Sequence, residues 1–122
     1  MKINNQTTSH TDEEIIKLSL VNPIYFEELV LRYQRPIVGF HYNFLKNKQD
    51  AEDLAQDTFL KIYTNLGRYN PNKGKFQSWA FRIAKNTFID LLRKNKNRKE
   101  AFFSSFPTNI EEYFSDIYFA SI

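Results

Sequence analysis

Trp79, Arg82, Asn86 and Arg93 recur at intervals that a helix turning roughly 100° per residue brings to one side. They offer one large aromatic, two guanidiniums and one amide. This set suits a polyanion with exposed bases: a ring to stack on a base, an amide that both donates and accepts, and cations for phosphates. The stretch around them, Lys75 to Glu100, carries an apolar stripe of Ala80, Ile83, Ala84, Thr87, Phe88 and Leu91 at helical spacing, and Arg98 and Lys99 extend its positive charge. The plainer alternative is an ordinary amphipathic helix with a solvated basic face and Trp79 at the edge of the core. The spacing alone does not choose between the two.

A second constellation precedes it. Asp53, Gln56 and Asp57 fall on one side of a helix, while Phe59 and Tyr63 continue along it. Carboxylates interleaved with aromatics suit a basic protein partner, charges steering and rings anchoring. The plainer alternative is a set of solvated acids favoured by the positive end of the helix dipole. Evidence for catalysis is thin. The two histidines, His10 and His41, stand apart from the acidic run at 50–57, and neither a glycine-rich phosphate loop nor a Ser/His/Asp set can be assembled. No enzyme activity, metal or cofactor is expected.

Charge is divided along the chain. Residues 68–100 hold ten Lys/Arg against Asp90 and Glu100, a local +8, and the remainder holds seven Lys/Arg against twelve acids, a local −5. Opposite charge on two regions points to two partners rather than one nonspecific polyanion. At 122 residues the chain can enclose one core, and the absence of cysteine fits a reducing cytoplasm. No apolar run approaches the roughly eighteen residues of a membrane span, so no membrane insertion is expected.

The elements that must position these residues are all helical. Residues 1–10 read as a flexible start. Thr11 and Glu14 form a capping box for a short helix through Ile15, Ile16 and Leu18, and Asn22-Pro23 opens another. That second helix extends to about Lys46 on a stripe of Phe26, Leu29, Val30, Tyr33, Ile37, Phe40 and Phe44, with Pro36 expected to kink or split it. After a polar break at Asn47–Gln49, a third helix is predicted from about Asp50 to Leu66, with Gly67 at its C′ position and Ala51, Leu54, Ala55, Thr58, Ile62 and Leu66 inward. A turn at Tyr69–Gly74 leads into the basic helix. The prediction is an all-α, compact bundle of about four helices over residues 11–100. Residues 101–122 then form an acidic, aromatic tail or linker start. In it Thr108 and Glu111 cap a short helix bearing Ile110, Tyr113, Phe114, Ile117 and Tyr118.

Taken together, FEELVLRYQRPIVGFHYNFLKNKQDAEDLAQDTFLKIYTNL, a turn and KFQSWAFRIAKNTFIDLLRK resemble region 2 of bacterial RNA polymerase sigma factors, nearest to the extracytoplasmic-function (ECF, group IV) type. The family's D-A-E-D-L-x-Q-[DE]-x-F pattern matches Asp50 to Phe59, and its F-x-x-W-[LA]-[FY]-R-I-A-x-N pattern matches Phe76 to Asn86. The resemblance implies a region 2 bundle. It implies docking of Asp53, Gln56, Asp57, Phe59 and Tyr63 on the clamp coiled coil of the polymerase beta-prime subunit. It further implies capture of the minus-ten promoter element as single-stranded DNA. Asn86 would then line a pocket for a flipped base, Phe76, Trp79 and Arg82 would surround it, and Lys85, Arg93 and Lys94 would meet phosphates.

Two departures from the family pattern bear on this expectation. Where housekeeping sigma factors carry a second tryptophan beside the first, this chain has Ala80, which implies one melting wedge fewer. The family's second DNA-reading domain, a helix-turn-helix, has no counterpart after Glu100, so the chain reads as a fragment in preference to a lone promoter-melting domain. One alternative is a sigma-like interaction module that holds polymerase or an anti-sigma factor without melting DNA. A basic helical RNA-binding protein is the other.

Overall fold

The computed structural model describes residues 10–94. Its helices are α1 (Asp12–Val21), α2 (Phe26–Leu45), α3 (Lys48–Thr64) and α4 (Phe76–Lys94), with single 3-10 turns at Pro23–Tyr25, Leu66–Arg68 and Pro71–Lys73. Among the described residues there is no strand, as the all-α reading requires. The expected flexible start, Arg98, Lys99 and the expected helix after Thr108 lie outside the described residues.

α1, the Pro23–Tyr25 turn and α3 start where side-chain chemistry satisfies their first orphan N–H groups. The Thr11 hydroxyl accepts from the Glu14 amide at 3.1 Å, and the Glu14 carboxylate accepts from the Thr11 amide at 2.9 Å. The Asn22 side chain accepts from the Ile24 amide at 3.1 Å. For α3, Asn47 accepts from the Asp50 amide at 2.9 Å, so the helix begins within the expected polar break. It ends at Thr64, earlier than expected, with Asn65 at φ −108° as its cap and Gly67 inside the following 3-10 turn. The glycine that needs positive φ is Gly74, at φ 150°, just before α4. Pro36 does not split α2. It lies on the exposed side, where a helix can open outward without disturbing Tyr33, Ile37 and Phe40 beneath it.

α2 and α3 form a hairpin through Lys46, which takes the left-handed conformation at φ 57°. α4 runs beside α2 in the same direction, shown by ring contacts of Tyr33 with Phe76, Phe40 with Phe81 and Phe44 with Phe88 at 5.3–5.8 Å. Such edge and tilted pairs add about 0.5–1.5 kcal/mol each beyond the area they bury. α1 is fastened to α2 by an Arg32–Asp12 ion pair at 2.9 Å and by the Tyr33 hydroxyl, which donates to Asp12.

The six stripe residues expected for α3 are all buried, from Ala51 to Leu66. His41, left open between surface and core, is in the core. Its Nε2 lies 2.9 Å from the Thr58 hydroxyl, which itself donates to the Leu54 carbonyl at 2.9 Å. The hydroxyl therefore accepts from His41, and burial pushes the imidazole pKa down to about 3, keeping the ring neutral.

Candidate nucleic-acid interface and acidic face

The turn between α3 and α4 and the first two turns of α4 enclose an open cleft of about 380 Å³. Four cations line it, Arg68, Lys73, Lys75 and Arg82, together with the rings of Tyr69 and Trp79 and with Asn70, Gly74 and Ser78. No carboxylate is among the described residues that line it, so the field inside is of one sign.

Local chemistry holds the loop in shape. Asn70 accepts from the Asn72 amide at 2.9 Å and Pro71 starts the short turn. The Tyr69 hydroxyl then reaches across to donate to the Gly74 carbonyl at 2.8 Å. Burial, and secondarily the charges of Glu13 and Asp12, raise the Tyr69 pKa, which keeps that donor protonated. The Tyr69 ring stands 5.5 Å from both Phe76 and Trp79, and Phe76 stands 5.6 Å from Trp79. Trp79 is thus braced from behind by two rings and presents its partly buried indole to the cleft.

The expected DNA-contacting residues do not all share one place. Trp79 and Arg82 line the cleft. Phe76 is 4 % exposed and forms the floor beneath the other two rings. Asn86 is exposed on the turn after Arg82 but does not line the cleft. Arg93 and Lys94 are exposed at the far end of α4, where Arg93 pairs with Asp90 at 3.4 Å.

One position requires correction. Lys85 is 8 % exposed and shares the buried side of α4 with Ala84 and Phe88, so it does not stand ready for a phosphate. Ala80, which stands at the family pattern's second wedge position and on the expected apolar stripe, is fully buried as that stripe requires. α4 is covered by both α2 and α3, so its buried arc is wider than one stripe. Ile83 and Leu91, assigned to that stripe, are only partly buried, and Phe81 and Leu92 are buried instead.

Arg68, Lys73, Lys75 and Tyr69 also line the cleft, although their sequence pattern marks them only as charge and turn. The signal that could have found them is the density of cations around an aromatic within a turn ending in glycine.

On α3, Asp53, Gln56 and Asp57 are exposed as expected. The aromatics are not interleaved with them. Phe59 is partly buried against the core, and Tyr63, 38 % exposed, rests edge-on against Phe26 at 5.1 Å. The apolar side chain that does accompany the acids is Leu60, 62 % exposed, four residues after Gln56. Asp53 and Asp57 also border Leu91 of α4, and Asp53 accepts from Gln49 at 3.0 Å. Among the described residues no helix is long and apolar enough to cross a membrane.

The helical bundle thus carries a basic, aromatic cleft at one place and exposed carboxylates at another. The Sigma-70 region 2 family model matches residues 29–98, over half of the chain, and the chain belongs to that family. Curated relatives agree with this assignment. The chain is 39 % identical to the ECF RNA polymerase sigma factor SigW of Bacillus subtilis over 71 residues, which is 58 % of this chain and 37 % of that protein. It is 37 % identical to SigM of the same species over 70 residues, covering 57 % and 42 %. To SigE of Mycolicibacterium smegmatis it is 35 % identical over 69 residues, covering 57 % and 26 %. The chain thus matches less than half the length of each of these relatives.

Proposed function

We propose that this domain recognises promoter DNA on behalf of RNA polymerase, acting by binding rather than by catalysis, in the cytoplasm. In this reading the cleft captures the minus-ten element as a single strand. Trp79 stacks on an unpaired base, Arg68, Lys73, Lys75 and Arg82 meet the backbone, and Asn86, one turn further along α4, reads a base edge. The observation that carries the reading is the cleft itself: four cations and a braced indole with no carboxylate among them. That combination serves a single strand better than a duplex, whose bases are stacked on each other and cannot reach the ring. The names of the relatives supply polymerase as the partner. Asp53, Gln56 and Asp57 with Leu60 then dock on a basic or amphipathic surface of the polymerase, the beta-prime clamp coiled coil. Phe59 and Tyr63 support this face from the core side.

The test is binding of a minus-ten single strand, a scrambled strand and the matching duplex. Trp79→Ala should weaken both strands by ~1–3 kcal/mol, the worth of one stacked base. Asn86→Ala should weaken only the preferred strand, by ~1–3 kcal/mol. Duplex binding equal to strand binding would reduce the cleft to a polyanion face. Polymerase or anti-sigma binding without any strand preference would favour the interaction-module reading instead.

A further inference from the structure

On the side of the α2–α3 hairpin away from α4 lies an apolar groove of about 650 Å³. Leu31, Val38, Gly39 and Tyr42 of α2 form much of it, and Arg35 and Lys48 supply cations against the single carboxylate of Glu52. Leu31 is 69 % and Tyr42 45 % exposed. Gly39 has no role inside the described fold. A Cβ there would meet nothing within 4 Å, and its φ is not in the left-handed region, so neither packing nor backbone requires a glycine. In a helix interior it costs about 1 kcal/mol relative to alanine. A glycine at that position leaves room for another surface to approach closely.

The chain itself carries a segment of matching chemistry. Residues 101–122 contain Glu111, Glu112 and Asp116 and neither Lys nor Arg, which complements Arg35 and Lys48. Within them Ile110, Tyr113, Phe114, Ile117 and Tyr118 fall at the spacing of one helix face, the pattern by which an amphipathic helix enters an apolar groove. The route is short. Phe88 packs on Phe44, and Leu91 lies beside Asp50 in the first turn of α3. The chain therefore leaves α4 at the end of the bundle where α2 turns into α3 and where Tyr42 and Lys48 open the groove. The fifteen residues from Asn95 to Asn109 can span up to about 50 Å at roughly 3.3–3.6 Å each. We infer that Ile110–Tyr118 seats its apolar face in the α2–α3 groove of its own chain, with Glu111 at the edge of that face towards Arg35 and Lys48.

The basic cleft would also attract an acidic tail, so the test sets the two places against each other. The chain has no cysteine, so an introduced pair supplies its only thiols. The 122-residue chain carrying Gln34→Cys with Ser115→Cys reports the groove, and with Ser78→Cys and Ser115→Cys it reports the cleft. At low protein concentration the intrachain disulfide should form about tenfold faster for the groove pair, the ratio given by ~1.4 kcal/mol of docking preference. Adding Gly39→Glu, which fills and charges the groove, should slow the groove pair by about the same factor without lowering the melting temperature. Should that variant fail to fold, Ile117→Asp, which lies outside the described bundle, should slow it equally. Equal rates, a faster cleft pair, bridging only between two chains, or a groove pair indifferent to Ile117→Asp would each overturn the inference.

Discussion

In the basic cleft, Tyr69, Phe76 and Trp79 lean on one another and on the core, and the cations stand around a ring whose position is already settled. On the acidic side of α3, Asp53, Gln56 and Asp57 project from a helix whose opposite side is buried, with no such scaffold between them. The contrast matches what each surface is proposed to hold. A flexible single strand loses much conformational freedom on binding, so a preorganised ring lowers the cost of capture. A rigid helical partner brings its own geometry, and charges on a rim need only steer it and set its register. The two surfaces should therefore fail differently when disturbed.

The largest effect should come from beneath the cleft. Phe76→Ala removes a buried ring and should destabilise the fold by ~3–5 kcal/mol. Because Phe76 braces Trp79, strand binding should fall even where the variant is still folded. Thermal melts alongside strand titration check this, and an unchanged melt would mean the cleft is not continuous with the core.

The acidic side has its own buried anchor in His41, and acid should expose it. The imidazole is neutral in the fold with a pKa near 3, against about 6.5 unfolded, so the unfolded chain binds the extra proton. The stabilising contribution is complete above roughly pH 6.5 and is lost as pH falls towards the folded value. The loss approaches ~1.4 kcal/mol per pH unit and amounts to about 2 kcal/mol near pH 5. Melts over this range should show the slope, and His41→Leu should flatten it. A slope equally steep in the variant would place the acid sensitivity elsewhere.

Exchanging charge on α3 should give the next largest effect and separate the surfaces. Asp53→Lys combined with Asp57→Lys should weaken binding to the clamp coiled coil more than tenfold, or ~1.4 kcal/mol, with little change in stability, because both positions are exposed. Strand binding should not fall. Full clamp affinity in a folded double variant would remove this face from the proposed function.

The smallest and most diagnostic effect is a salt slope. If Arg68, Lys73, Lys75 and Arg82 each neutralise a phosphate, the log–log slope for single-strand binding should be roughly −3, at about 0.7 per contact. The preference for the minus-ten strand over a scrambled one should persist as affinity falls, because stacking is little affected by salt. A slope near zero, or a preference that disappears with salt, would break the comparison at the cleft.

Much of the architecture was legible in the residues. The Thr11–Glu14 capping box and the Asn22-Pro23 start act over three or four residues, and both stand where they were read. The α3 stripe from Ala51 to Leu66 is inward at every position. Periodicity likewise brought Trp79 and Arg82 to one side of α4. Other outcomes depended on which helices cross which. α4 is enclosed by α2 and α3 together, and that wider contact buries Lys85 and Phe81 beyond the reach of any one-stripe pattern. Tyr63 was read as a free anchor until Phe26, 37 positions earlier, met its ring. The cleft needed tertiary structure most of all. Arg68 and Arg82 lie on different elements, and only the turn closed by Tyr69 and Gly74 folds them around one indole. Local sequence sets which residues share a face of one helix, because backbone geometry is periodic. Which faces meet, and what charge gathers where they do, is decided by packing between segments distant in the chain.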